Sequence, residues 1–114
     1  MNDINNDFIQ NQISNGKKYT LVVKKIGTKR DQSEEEANEI QEAHLKYLFT
    51  LKEKGLLLIN GPVLDHPEIK GIGIYNLTDK NEVLELALQD PAVIAGRLVV
   101  EVYEWFGIPG ETLI

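Results

Sequence analysis

Gln41-Glu42-Ala43-His44-Leu45-Lys46-Tyr47-Leu48 lies inside a stretch whose apolar residues recur at helical spacing. Ile40, His44, Tyr47, Leu48 and Leu51 stand at offsets of three, four and seven positions, so a helix sets them on one face. Upstream, Ser33-Glu34-Glu35-Glu36 has the form of a capping box, and its acidic first turn suits the positive end of a helix. Downstream, Gly55 is a natural C′ residue. The pattern predicts one long helix from about Glu34 to Lys54. Its inward face is apolar except at His44. An imidazole there is either a satisfied core histidine or the working group of a pocket.

Working outward, Tyr19–Ile26 is a β-rich run broken by Gly27. Leu56–Ile59 is expected as a second strand, ended by Asn60-Gly61-Pro62, because proline cannot donate to a sheet ladder and needs an edge or an exit. Val63–Lys70 is a loop and Gly71–Leu77 a third strand. Thr78 or Asp79 caps a second helix that ends at Asp90-Pro91, and a single turn from Pro91 closes at Gly96. Leu98–Phe106 is the fourth strand. The order β-α-β-β-α-β predicts an α+β, ferredoxin-like fold, a four-stranded antiparallel sheet with two helices on one face. Residues 1–18 are expected to be a flexible extension, 19–106 the domain and 107–114 a tail.

The strands carry apolar residues on both faces: Leu21 and Val23 alternate with Val22, and Val100 and Val102 with Val99 and Tyr103. A sheet with one wet face alternates cleanly, and two helices cover one face only. A second copy is the simplest cover, so a homodimer through the open sheet face is expected.

Composition excludes several classes of function. The chain has 114 residues, a net charge of −6 and no cysteine. That balance argues against a nucleic-acid face, and the missing thiols remove disulfides, zinc–thiolate sites and thiol catalysis. No apolar run is long enough to span a membrane, and a cytoplasmic protein is expected.

Asp90 is the second candidate for chemistry. At the end of the second helix the dipole disfavours an anion, which suits a partner or base. Asp90-Pro91 is equally a good N-cap and N1 pair, and capping alone would justify it. Gly61, Pro62 and Tyr47 are the candidate substrate contacts, with Gly61 allowing close approach to the backbone. Asp65, His66 and Glu68 are read as a solvated turn rather than metal ligands, and neither a metal nor a cofactor is expected. Gly71-Ile72-Gly73 falls on a strand and lacks the setting of a phosphate loop.

His44-Leu-Lys-Tyr47-Leu48, Gly55-Leu-Leu, Gly61-Pro62, Asp90-Pro91 and Gly96, in that order, resemble the YCII-related family over roughly Tyr19 to Trp105. The resemblance implies a ferredoxin-like domain forming a dimeric α/β barrel. It also implies a site between helices and sheet of each protomer, built on His44 and Asp90. Some members and distant relatives transform small cyclic or aromatic compounds by dehydrochlorination, muconolactone-type isomerisation or cofactor-free oxygenation. This chain departs from the short form of the family in its N-terminal extension, its Asp65-His66-Pro67-Glu68 loop and its C-terminal tail.

Two principal readings follow. In the first, the chain is a cofactor-independent lyase or isomerase acting on a small organic acid or ring compound, with His44 as general acid or base and Asp90 fixing its tautomer. In the second it is a non-catalytic dimeric ligand-binding or stress-related module, with His44 and Asp90 a structural pair. A metal site using His44 or His66 is a third. An open cavity reaching His44 favours the first reading over the second.

Overall fold

In the computed structural model, which describes residues 3–114, four antiparallel strands form a single sheet in the order β2-β3-β1-β4. The strands are β1 (Lys17–Ile26), β2 (Leu57–Pro62), β3 (Ile69–Tyr75) and β4 (Leu98–Gly107). The helices are α1 (Asn6–Ser14), α2 (Glu34–Glu53), α3 (Lys80–Leu88) and α4 (Pro91–Ile94). From β1 onward this is the ferredoxin-like α+β order expected from the sequence.

α2 begins as its capping box predicts, with the Ser33 hydroxyl accepting from the Glu36 amide at 3.2 Å. It ends at Gly55, whose φ of 75° is open to glycine at little cost. Asp79, not Thr78, caps α3 by accepting from the Asn81 amide. Alternation sends Thr20, Val22 and Lys24 of β1 inward and Leu21 and Val23 outward. The core is Val22, Leu48, Leu51, Leu57, Tyr75, Val83 and Ala87, drawn from the inner face of the sheet and from α2 and α3. Each buried valine or leucine among them contributes roughly 1.5–3 kcal/mol by leaving water.

Three expectations need correction. Asn60-Gly61-Pro62 does not end β2 but belongs to it: Asn60 pairs with Gly73, Gly61 with Ile72 and Pro62 with Gly71. β2 is an edge strand, where a missing donor is tolerated. β3 is shifted toward the N-terminus, running from Ile69 to Tyr75.

The third correction concerns the N-terminal stretch. Met1 and Asn2, the start of the expected extension, lie outside the described residues. Asn6–Ser14 is helical, and β1 starts at Lys17. Asparagine is a poor helix former but a strong N-cap, and Asn5 accepts from the Phe8 amide at 2.9 Å. α1 nevertheless buries none of its residues. The molecule measures 57 × 29 × 22 Å, and its radius of gyration of 16.8 Å exceeds the roughly 13 Å of a compact chain of this length. Such a shape suits an end helix that is not folded back on the body.

The outer face of the sheet carries exposed apolar side chains: Ile72 of β3, Leu58 of β2, and Val99, Tyr103 and Trp105 of β4. Among the described residues, no helix is long and apolar enough to cross a membrane.

Candidate active site

α4 exists because Asp90-Pro91 starts it. Proline presets the first helical φ, and Asp90 Oδ1 accepts from the Ala92 amide at 2.9 Å. That cap leaves the carboxylate facing α2, where His44 projects inward one turn before Leu48. His44 Nδ1 lies 2.8 Å from Asp90 Oδ1 and 2.7 Å from Oδ2. Both groups are withdrawn from water, His44 being 8% exposed and Asp90 2%. Asp90 therefore fills both roles open to it from the sequence, helix cap and histidine partner.

A carboxylate only accepts, so Nδ1 is the nitrogen that carries the proton. Nε2 is left without a hydrogen-bond partner among the described residues, on a ring that lines a cavity of about 240 Å³. Ile40, Leu45 and Leu48 give this cavity an apolar wall on the α2 side. Asn60, Gly61, Pro62 and Gly71 form the facing wall.

Of the residues expected at the site, His44, Gly61 and Pro62 meet on this cavity, with Asp90 behind the imidazole. Tyr47 does not line it. Its hydroxyl instead donates to the Leu86 carbonyl at 2.7 Å, tying α2 to α3. Burial, and then the charge of Asp90, hold the Tyr47 phenol above its ordinary pKa. His66 also lies elsewhere, its Nδ1 accepting from the amides of Glu68 and Ile69 and shaping the loop.

Sequence reasoning missed the basic side of the cavity. Lys24, only 5% exposed, donates from Nζ to Asn60 Oδ1 at 2.8 Å. These residues stand on β1 and β2, with β3 between them. The bridge passes over Gly71, opposite Lys24, and Gly73, opposite Asn60. A Cβ on Gly73 would stand 3.5 Å from Asn60 Oδ1 and 3.2 Å from Leu57 Cδ1. Burial lowers the Lys24 pKa to about 8 against the opposing pull of Asp90. The available signal was a lysine between Val22 and Ile26, at a position where alternation calls for an inward apolar residue.

Arg30, Lys70 and Arg97 complete the basic lining. Gly27 brings Arg30 and Arg97 together: its amide donates to the Arg97 carbonyl at 2.8 Å, and a Cβ there would collide with the Gly96 carbonyl. Arg30 Nη2 then donates to the same Arg97 carbonyl at 2.9 Å, and Arg97 Nη1 donates to Gln32 Oε1 at 2.8 Å.

The model of the YCII-related domain matches residues 22–106. Among solved structures the chain is similar to the 5-chloro-2-hydroxyhydroquinone dehydrochlorinase of Burkholderia phenoliruptrix, in complex with 2,5-dihydroxybenzoquinone. The two share 24% identity over 76% of this chain and 92% of that one, with a TM-score of 0.58, which is a likeness of fold. No curated protein matches. The inward histidine of α2, the aspartate before α4 and the Gly-Pro of β2 stand within the matched span, and the chain belongs to the YCII-related domain family.

Proposed function

We propose that this protein is a small-molecule enzyme, a lyase or isomerase, in which His44 Nε2 moves a proton on a small ring compound or organic acid. The observation that carries the reading is the His44–Asp90 contact combined with a cavity that reaches the same imidazole. A histidine used only for packing needs no open volume beside it. Cavities of about 150 Å³ admit a benzene-sized ring, so 240 Å³ suits a substituted one.

The chemistry is that of a histidine oriented by an aspartate. Nε2 takes a proton from an acidic C–H or O–H of the substrate, and Asp90 stabilises the imidazolium that forms. Returning the proton to a different atom completes an isomerisation. Alternatively, the electron pair of the broken C–H bond forms a double bond and expels an anion from the neighbouring carbon, which is an elimination. The second outcome matches the dehydrochlorinase named above, whose activity is its own.

Proton exchange tests this reading without knowledge of the net reaction. Hydroxyquinones, including 2,5-dihydroxybenzoquinone, and 2-oxo acids are incubated with the protein in deuterium oxide and followed by proton NMR. Catalysed exchange at carbon that is lost in His44→Gln supports the enzyme; a panel with no catalysed exchange points to the binding module instead.

We also propose that two copies associate through the outer sheet face, as the exposed row of Leu58, Ile72, Val99, Tyr103 and Trp105 suggests.

A further inference from the structure

We infer that the cavity beside His44 selects anions, and that the Lys24 ammonium holds the carboxylate, phenolate or enolate oxygen of the bound molecule. The inference deepens the enzyme reading by naming its substrate class, and rests on that reading for what His44 then does.

The charge distribution is the first argument. The chain has a net charge of −6, yet its cavity is lined by Lys24, Arg30, Lys70 and Arg97 and by no aspartate or glutamate. Four of twelve lysines and arginines gathered on one concave wall focus a positive potential that the rest of the surface opposes.

Lys24 is the second argument. An ammonium has three donors, and the partner Lys24 has among the described residues is one neutral amide oxygen. It makes no ion pair there. The carboxylate whose charge it feels, Asp90, is committed to His44 and to the Ala92 amide. A buried cation without a counter-ion is costly, and this one borders open volume where a counter-ion fits. Arg30 and Arg97 are likewise fixed by a carbonyl and an amide, so their charges remain uncompensated at the wall.

Third, the hydrogen bond to Asn60 carries the ammonium across β3, within the cavity that His44 also lines. A ring whose anionic oxygen sits on Lys24 then has its carbons to offer to Nε2. Proton loss from Lys24 weakens such binding, in a field set by His44 and Asp90 on the helix side and by Lys70, Arg30 and Arg97 around the wall.

Calorimetric titration of the full chain with acetate, benzoate and uncharged benzamide tests the proposal. Near neutral pH, benzoate should bind at least about ten-fold more tightly than benzamide. Lys24→Met should bring the two to parity. Asn60→Asp, which gives the ammonium an internal carboxylate, should do the same in a chain that keeps its lysine, so a folding defect in one variant does not decide the matter. Failure of both acetate and benzoate to bind, equal affinities in the unaltered chain, or a preference that survives Lys24→Met overturns the inference. Parity alongside His44-dependent proton exchange overturns anion selection alone; anion selection without exchange upholds the site and overturns the enzyme reading.

Discussion

Asp90 Oδ1 stands 2.8 Å from His44 Nδ1 and 2.9 Å from the Ala92 amide, so one oxygen starts a helix and orients an imidazole. The two residues are 46 positions apart and meet because α2 packs on α4. One carboxylate therefore serves both the helix start and the histidine contact, and substitutions separate the two.

Asp90→Ala removes the cap and leaves a buried Nδ1–H unpaired. The loss should be roughly 2–4 kcal/mol, about 1 from the cap and the remainder from the orphaned donor. Asp90→Ser keeps a capping oxygen and should recover about 1 kcal/mol of that loss. Urea denaturation measures both; a serine variant no more stable than the alanine one would show that the cap contributes nothing.

Lys24 gives a pH dependence with a definite sign. Its folded pKa of about 8 lies below the ordinary 10.5, so across that window the unfolded chain binds more protons and stability rises with pH. Below that window the full cost of burying the charge is present. Relative to Lys24→Met, the unaltered protein should gain about 3 kcal/mol between those values. Chemical denaturation across the range checks this. A flat or falling difference would place the ammonium in water rather than in the cavity wall.

These two residues also mark what the sequence made legible. The helix that carries His44 could be read from its capping box and apolar spacing, both local signals, and the β-α-β-β-α-β element order implied the ferredoxin-like sheet. The contact with Asp90 was within reach because the topology brings the two helix segments to one side of the sheet. Lys24 is less legible, since its partner Asn60 stands two strands away and is its neighbour only in the folded sheet. Tyr47, expected as a substrate contact from its helix face, does not line the cavity, because its hydroxyl donates to the Leu86 carbonyl of α3. α1 was missed because its helix rests on one asparagine cap and on no burial.

The outer sheet face predicts self-association. Light scattering at micromolar concentration should give a mass near twice 12.9 kDa. Val99→Asp would bury an unpaired carboxylate between the copies and shift the protein toward monomer. A stable monomer of the unaltered chain would remove the proposed dimer.

Deleting residues 3–14 should change stability by no more than about 0.5 kcal/mol, since α1 buries no side chain. Thermal melting of the shortened chain checks this. A large fall would mean that Phe8 or Ile13 is held by a surface not covered in the isolated chain, such as a second copy.

The central claim is that Asp90 fixes the His44 tautomer so that Nε2 is the nitrogen offered to the cavity. Nitrogen-15 NMR of the imidazole reads this directly. In the neutral ring Nδ1 should be protonated and Nε2 unprotonated. In Asp90→Asn the amide oxygen stays on the Ala92 cap and the amide nitrogen turns toward His44, so the proton should move to Nε2. Protonation at Nε2 in the unaltered protein, or a tautomer indifferent to Asp90→Asn, would contradict the account.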